Sequence, residues 1–406
     1  MTQRNSRTAK KIIWPLLICS LIFFSGCGLE DMIVVNTLPV PETTATEPGD
    51  THGERFQLPV IFTAEQDWPD REISGRREGM LRPGITGNGK VFECSDDRVY
   101  FLLEQNGGAL LCYGTHDSDW ILPLCELSFC THTEEYCKAR FDQFGSVCYY
   151  EDYVYVSSGS ILYRLSPDGT EREEVIDVLT DVGDYTAIEN PRLWNGVFTF
   201  DCIPRIPTQD TVSGYFTLDG RMEKAAVMPL MMPLYNDGDA FLVKTEGENS
   251  PVLSRWYPRN GSLETRLELS ATNNLQNGYW GEDCSYYLRG STIYKLDYET
   301  GTEEVLFDTG LSGEYRLYCF PDCLLLCSCE DEKAGMYIYD WSNQFQGYVE
   351  LPGDISLSAD QIICGESRDR IYLAFQKPGV PEAYVDKYDF GTDDLELHQL
   401  EYHISG

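Results

Sequence analysis

The sequence is poor in basic residues and in histidine, and these shortages exclude several classes of function. Its 406 residues contain 31 Lys and Arg against 66 Asp and Glu, a formal net charge of −35, and five His. Binding to nucleic acid needs clustered Lys and Arg that neutralise phosphates, so we exclude a nucleic-acid partner. The same charge argues against direct binding to anionic lipid or anionic wall polymer, whereas a cationic partner or divalent cations remain compatible.

The sequence also lacks the local motifs of several common enzymes. It contains no His-Glu-x-x-His helix, no Gly-x-Ser-x-Gly elbow and no phosphate-binding Gly-x4-Gly-Lys-Ser/Thr loop. A pair of glycosidase carboxylates cannot be recognised among so many acids, because such a pair is defined by its separation in space. We therefore predict no catalytic residues and no organic cofactor.

The apolar run near the N-terminus is too short for a membrane-spanning helix, which needs about 20 residues. Residues 12–24 form this run, and four Lys and Arg precede it. Such a pattern is typical of a signal peptide. The following Ser-Gly-Cys matches a bacterial lipobox, so we predict a lipoprotein signal peptide over residues 1–27 and lipidation at Cys27. The alternative is an ordinary signal peptide with a chance cysteine.

The next segment has the composition of a tether. Residues 37–53 are rich in Pro, Thr and Glu and cannot bury an apolar core, so we predict a flexible tether over residues 28–75. The globular domain then covers residues 76–406. Together these segments predict a protein held by lipid at the extracytoplasmic face of the cell membrane. Without the signal segment, 27 Lys and Arg face 66 Asp and Glu, so the remaining chain has a charge near −39.

A repeated unit of short strands fills this globular domain. Each unit has a strand rich in aromatic and β-branched residues, then a second strand that runs into a turn of Gly, Asn or Asp. The turn residues recur every 40–55 residues, at Gly114, Gly169, Gly220, Gly261, Gly301, Asn343 and Gly391. This period is typical of propeller blades. We predict an all-β protein with a seven-bladed β-propeller; six or eight blades, or a pair of β-sandwiches, are the alternatives.

One insertion after the first predicted blade concentrates metal-binding residue types. Cys125, Cys130, His132 and Cys137 follow the pattern Cys-x4-Cys-x-His-x4-Cys. Three thiolates and an imidazole are the donors of a closed tetrahedral zinc site, so we predict one structural zinc. A disulfide among these cysteines, or no bond at all, is the alternative. A catalytic metal is disfavoured because four protein donors leave no open position.

The remaining cysteines are predicted to be small buried apolar residues. Of 15 cysteines, one leaves with the signal peptide and Cys27 is lipidated, which leaves 13. An odd number cannot all pair within one molecule. Most lie on predicted strands, where a free cysteine packs as a small hydrophobic side chain.

The lipobox, the tether, the divergent propeller and the Leu-Cys-x4-Cys-x-His-x4-Cys insertion together resemble a known group of proteins. They are similar to uncharacterised β-propeller lipoproteins, a domain of unknown function, from anaerobic Gram-positive gut bacteria. The resemblance implies a fold and a surface location and implies no activity. We expect a non-enzymatic binding or scaffold protein for a surface protein or glycan. The alternative is a propeller glycan hydrolase or lyase at the cell surface.

Overall fold

The computed structural model describes most of the globular domain. All described residues belong to one compact unit, Thr44–Gly406. The described residues are 90–94, 98–105, 107–115, 117–127, 130–133, 136–182, 185–194, 196–206, 211–218, 224–227, 231–236, 240–246, 250–258, 260–269, 278–281, 283–328, 334–352, 362–375 and 380–404. The predicted signal peptide (1–27), the tether (28–75) and the lipidation site Cys27 lie outside them. No helix within these ranges is long and apolar enough to cross a membrane.

The fold is an all-β propeller of seven blades, as the repeat predicts. Six of the blades are antiparallel sheets of four strands consecutive in sequence, and the first blade has two further short strands, one of them the last described strand of the chain. In the first blade, for example, the second and third strands pair from Arg98↔Thr115 to Gln105↔Gly108. The first strand of the first blade lies against the first strands of the second and seventh blades. The first strands therefore surround the axis, and the fourth strands form the rim.

The strand bounds follow the blades in chain order. The first blade contains β1 (Lys90–Cys94), β2 (Arg98–Gln105), β3 (Gly108–Thr115), β4 (Trp120–Pro123) and the short β5 (Arg140–Phe141). The second and third contain β6 (Val147–Tyr150), β7 (Tyr153–Ser158), β8 (Ile161–Leu165), β9 (Arg172–Asp177), β10 (Tyr185–Trp194), β11 (Val197–Pro204), β12 (Val212–Thr217) and β13 (Ala226–Val227). A five-residue helix, α1 (Val178–Val182), joins these two blades.

The remaining blades repeat the same order of strands. The fourth and fifth contain β14 (Met232–Asn236), β15 (Phe241–Glu246), β16 (Pro251–Tyr257), β17 (Ser262–Glu268), β18 (Gly278–Trp280), β19 (Cys284–Arg289), β20 (Thr292–Asp297) and β21 (Glu303–Asp308). The sixth and seventh contain β22 (Tyr315–Cys319), β23 (Leu324–Ser328), β24 (Gly335–Tyr339), β25 (Phe345–Glu350), β26 (Ile362–Glu366), β27 (Arg370–Phe375), β28 (Ala383–Asp386) and β29 (His398–Gln399). A 3-10 turn, Lys387–Asp389, follows β28, and β30 (Glu401–Tyr402) ends the described strands.

The apolar core lies between the blades. Each of the six clusters of buried apolar side chains in the described residues combines residues of neighbouring blades. Trp194 and Phe241, for example, pack edge to face across the third and fourth blades, with ring centroids 5.4 Å apart. The cluster around Val99 extends from the first blade into both the second and the seventh. Neighbouring sheets thus bury one another's faces, as in other repeat architectures.

The predicted turns are confirmed at five positions and wrong at one. Gly169, Gly261, Gly301, Asn343 and Gly391 have φ between 63° and 76°, the left-handed region that favours Gly and Asn. Gly220 lies outside the described residues. Gly114 is instead part of β3, where an added Cβ would approach Ile121 Cδ1 to 2.6 Å. This glycine makes room for the side chain of the neighbouring strand rather than forming a turn.

A buried arginine joins the seventh blade to the first and closes the ring. Arg370 Nε donates to Asp386 Oδ1 at 2.9 Å, and Arg370 Nη1 donates to the carbonyl of Ser118 at 2.9 Å. The guanidinium also lies over the ring of Tyr384, 3.7 Å from its centroid. β30 adds to this seam by pairing in parallel with β4. The closure therefore combines a charged contact with an added strand.

A second buried charge cluster joins the sixth and seventh blades. Lys387 Nζ donates to Asp322 Oδ2 at 2.8 Å, to the carbonyl of Ser367 at 2.8 Å and to Glu366 Oε1. Burial lowers the pKa of Lys387, but Glu366 and Asp322 raise it on balance. Burial raises the pKa of Glu366 to about 7 despite the attraction of Lys387. The ammonium group is thus shared between two carboxylates and a carbonyl.

We predict that Arg370→Gln destabilises the propeller by about 3 kcal/mol. This is the low end for breaking a buried ion pair, because Asp386 keeps partial access to solvent. Urea unfolding followed by tryptophan fluorescence measures the change, with the exposed Arg368→Gln as the matched control. Equal stability of the two variants would show that Arg370 does not hold the seam.

We predict that Glu366→Gln changes how stability depends on pH. Between pH 4.5 and about 7 the folded protein keeps the Glu366 proton that the unfolded chain releases, so this group's contribution to stability falls as pH rises. The glutamine has no such proton, so the free energy of unfolding of the variant should rise relative to wild type across this window. Urea titrations at a series of pH values measure the difference, with the exposed Glu350→Gln as the control. A flat difference would contradict the burial of a titrating Glu366.

Candidate metal centre

The outer strand of the first blade is split into two pieces by an insertion. β4 pairs with β3 at Cys112 and Tyr113, and β5 pairs with β3 at Ala109 and Leu110. The residues between them, 124–139, form the Cys/His insertion. Leu111, between the two paired segments, donates its N–H to the carbonyl of Ala139 at 2.8 Å and accepts from the N–H of Leu124 at 2.9 Å. Both ends of the insertion are therefore fixed to one residue of β3.

The insertion brings the four predicted donors together in a buried group, called here the Cys/His group: Cys125, Cys130, His132 and Cys137. Their ligand atoms all lie within 4.8 Å of one another, and each residue is at most 8% exposed. His132 adopts a φ of 58°, a left-handed conformation that histidine tolerates better than most residues. Its backbone N–H also donates to Cys130 Sγ at 3.4 Å.

The distances within the group fit a tetrahedral zinc ion. Cys137 Sγ lies 3.7 Å from Cys125 Sγ and 3.5 Å from His132 Nδ1. Zinc bonds of about 2.3 Å to sulfur and about 2.0 Å to nitrogen, at tetrahedral angles, place two sulfurs about 3.8 Å apart and a sulfur and a nitrogen about 3.5 Å apart. The group could therefore hold a metal ion, with its four donors all supplied by the protein.

The disulfide alternative is not formed in this structure. The sulfur atoms of Cys125 and Cys137 are 3.7 Å apart, whereas a disulfide bond is about 2.05 Å long. No disulfide links the cysteines whose side chains the structure describes, and seven buried ones outside the group pack in the blades: Cys112, Cys148, Cys202, Cys319, Cys323, Cys327 and Cys364. They behave as the small apolar side chains that their strand positions predict.

The three sulfurs of the Cys/His group differ in acidity. A hydrogen bond from Cys137 lowers the pKa of Cys125 to about 4. The pKa of Cys137 is raised, because its proton is held by Cys125 and because it is buried. Burial also raises the pKa of Cys130. A metal ion would take the place of the thiol protons, because cysteine binds metals as the thiolate.

The second blade supports the end of the insertion. Arg172 on β9 donates to the carbonyls of Arg140 at 2.7 Å, Lys138 at 3.1 Å and Cys137 at 3.4 Å. Its guanidinium lies 5.4 Å from the ring centroids of both Phe141 and Tyr163. These contacts fix the backbone of the last donor against the neighbouring blade.

The start and the end of the insertion are also tied to each other. Lys138, next to the last donor, forms a 2.7 Å ion pair with Glu126, next to the first. Lys138 also donates to the carbonyl of Thr170 in the β8–β9 turn. In the same turn, an added Cβ on Gly169 would approach the carbonyl oxygen of Leu124 to 2.7 Å. The group therefore lies at the seam between the first two blades.

The sequence predicted the donors but not the residues that position them. Arg172 and Lys138 have ordinary positions on a strand and a loop, and no local pattern connects either to the Cys/His group. Glu126 directly follows the first donor, and Lys138 directly follows the last donor. These opposite charges are a weak sequence signal that the two ends of the insertion contact each other. The split of the outer strand has no signal apart from the long interval between the first two blades.

We predict about one zinc ion per chain in protein purified without oxygen and without added metal, and loss of this zinc in Cys130→Ala. Mass spectrometry of metals measures the zinc content, and Cys148→Ala, which removes a buried cysteine on a blade, is the matched control that should retain the zinc. If wild-type protein holds no metal and a thiol titration finds two fewer free thiols than the protein has cysteines, the disulfide alternative is established instead.

Comparisons with known proteins bear on the fold alone. No family model and no curated protein matches this chain. Similar solved structures include TolB from Acinetobacter baumannii (14% identity, 62% of this chain and 63% of that chain covered, TM-score 0.34) and a prolyl endopeptidase (12%, 79% and 49%, TM-score 0.43). The chain thus spans less than two thirds of the length of either. An oligogalacturonate lyase in complex with manganese is similar at 12% identity, with 80% of this chain and 92% of that chain covered and a TM-score of 0.49.

Proposed function

We propose that this protein is a lipoprotein anchored through Cys27 at the extracytoplasmic face of the cell membrane. Its propeller binds or scaffolds a surface protein or glycan and catalyses no reaction. One structural zinc, held by the Cys/His group, completes the first blade. We also propose that the protein belongs with the uncharacterised β-propeller lipoproteins that its sequence resembles.

The closed donor set of the Cys/His group carries this proposal. Cys125, Cys130, His132 and Cys137 are all buried and together fill the four positions of a tetrahedral ion. A catalytic zinc keeps one position for water or substrate, and this arrangement leaves none. The ion would connect the two halves of a split strand, which is a structural role. A short loop with little core of its own gains much folding free energy from such an ion.

The charge of the chain limits the kinds of partner that it can bind. An excess of 66 acidic over 31 basic residues favours a neutral or cationic surface over an anionic one. A carboxyl group with a raised pKa, such as that of Glu366, can indicate a general acid. Here Glu366 forms a buried ion pair with Lys387 instead. Burial between the two blades raises the pKa of Glu366, and the contact with Lys387 opposes that shift.

We predict that lipid attachment depends on Cys27 and not on the zinc group. In a Gram-positive host, wild type and Cys130→Ala should partition into the detergent phase and incorporate labelled fatty acid. Cys27→Ala should do neither, because it lacks the sulfur that takes the diacylglycerol. Membrane retention of Cys27→Ala without label would point to an uncleaved signal segment and contradict the lipid anchor.

Binding without turnover is the second test. The full chain is incubated with neutral and cationic surface polysaccharides, and co-sedimentation is measured together with the release of reducing ends and unsaturated products. The proposal expects retention of a polysaccharide, or of a surface protein, with no new products. Products that disappear in a carboxylate variant would support the alternative, a glycan hydrolase or lyase.

A further inference from the structure

A second group of metal-binding side chains lies in the seventh blade, apart from the Cys/His group. Asp386 ends β28, Asp389 lies in the 3-10 turn that follows, and His398 begins β29. One ligand atom from each lies within 4.8 Å of the other two, and all three residues are partly buried. No motif marks this group in the sequence, because aspartates are frequent throughout the chain.

Neighbouring side chains hold two of these donors in place. Arg370 Nε donates to Asp386 Oδ1 at 2.9 Å, which leaves Asp386 Oδ2 on the side of His398. The ring of His398 stacks on the ring of Tyr384, with centroids 4.9 Å apart and an interplanar angle of 20°. Tyr384 is itself fixed by Arg370 at 3.7 Å and by a hydrogen bond to Asp119. Orientation of donors by such outer contacts is typical of metal sites.

The distances from His398 to the carboxylates around it are too long for hydrogen bonds and are long enough for a cation to lie in the gap between them. His398 Nε2 lies 4.0 Å from Asp386 Oδ2, and His398 Nδ1 lies 3.9 Å from Glu396 Oε1. Among the described residues, the imidazole makes no hydrogen bond. A cation bonded to a nitrogen and to an oxygen at about 2.0–2.2 Å each separates them by up to about 4.2 Å.

The charge around the gap favours a cation. Asp386, Asp389, Asp394 and Glu396 lie close together, and Arg370 contacts Asp386 alone among them. The group thus has more negative charge than its protein partners neutralise.

We propose that Asp386, Asp389 and His398 bind a divalent cation. Two carboxylates and one imidazole suit manganese and neighbouring divalent metals that accept both oxygen and nitrogen, whereas zinc prefers the thiolates of the Cys/His group. Three protein donors leave further coordination positions for water or for oxygens of a ligand. This site depends neither on the lipid anchor nor on the zinc group.

The simpler reading is an ion pair between a protonated His398 and the two aspartates, without a metal. The two readings differ in how the removal of one carboxylate affects the binding of manganese. An ion pair predicts no binding of manganese beyond that of any acidic surface. A metal site predicts one strong site that needs all three residues.

Manganese titration followed by electron paramagnetic resonance separates them. The full chain, loaded with zinc and kept in an excess of magnesium chloride to suppress weak surface binding, should bind about one Mn²⁺. Asp389→Asn and His398→Asn should each weaken binding at least about tenfold, since even loss of an outer-shell partner costs 10- to 100-fold. The exposed neighbour Asp393→Asn is the matched control and should bind like wild type.

Unchanged circular dichroism and thermal midpoints of the variants exclude a folding defect, and the partial exposure of Asp389 and His398 makes these substitutions tolerable. Absence of bound manganese in wild type would overturn the proposal. Equal binding by wild type, Asp389→Asn and His398→Asn would also overturn it, because it would show an adventitious ion only on an acidic surface.

Discussion

The structure depends on one constraint: each blade is a small sheet with two apolar faces and must bury both. The six buried clusters of the described residues meet this need by lying between sheets rather than within any one of them. A chain of seven such sheets leaves one face of the first and one of the last exposed unless the ring closes. Arg370 and β30 close it, by a buried ion pair and by a parallel strand added to β4.

The first blade shows how an insertion can be accommodated in such a ring. Its outer strand is split at Leu111, and the Cys/His insertion begins and ends on the two backbone groups of that residue. Most of the insertion's buried residues are the donors themselves, so a metal ion supplies what an apolar core supplies elsewhere. Arg172 and Lys138 then connect the insertion to the second blade, which makes the metal centre part of the seam between two blades.

The sequence predicted the second and third strands of every blade, because these strands are buried and rich in β-branched and aromatic residues. β3 and β27, for instance, are almost wholly buried along their length. Most fourth strands give a weaker signal, because they face solvent, as β17 does, and carry a polar pattern that resembles a loop. Gly114 was misread as a turn because its role, close packing against Ile121, depends on a neighbouring strand and leaves no local signal.

The donors of the Cys/His group were predictable because they lie within 13 residues of one another. The Asp386 group lies within an equally short span but was not predicted, because aspartates are too frequent in this chain to mark a site. The residues of the Lys387 cluster were not predictable, because their partners come together only when the sixth and seventh blades pack. Charges in contact across a seam, such as Lys387 with Asp322, are separated in sequence by 65 residues, which is more than one blade repeat. A single sequence therefore predicts sites whose residues form a local motif, and it does not predict contacts between repeats.

X-ray absorption at the zinc edge of the full chain, purified without oxygen, tests the central claim most directly. The account predicts a first shell of three sulfurs at about 2.3 Å and one nitrogen at about 2.0 Å. Loss of one sulfur in Cys125→Ala would confirm the assignment. A shell of oxygen and nitrogen alone, or an absence of zinc from folded protein, would contradict a zinc ion in the Cys/His group.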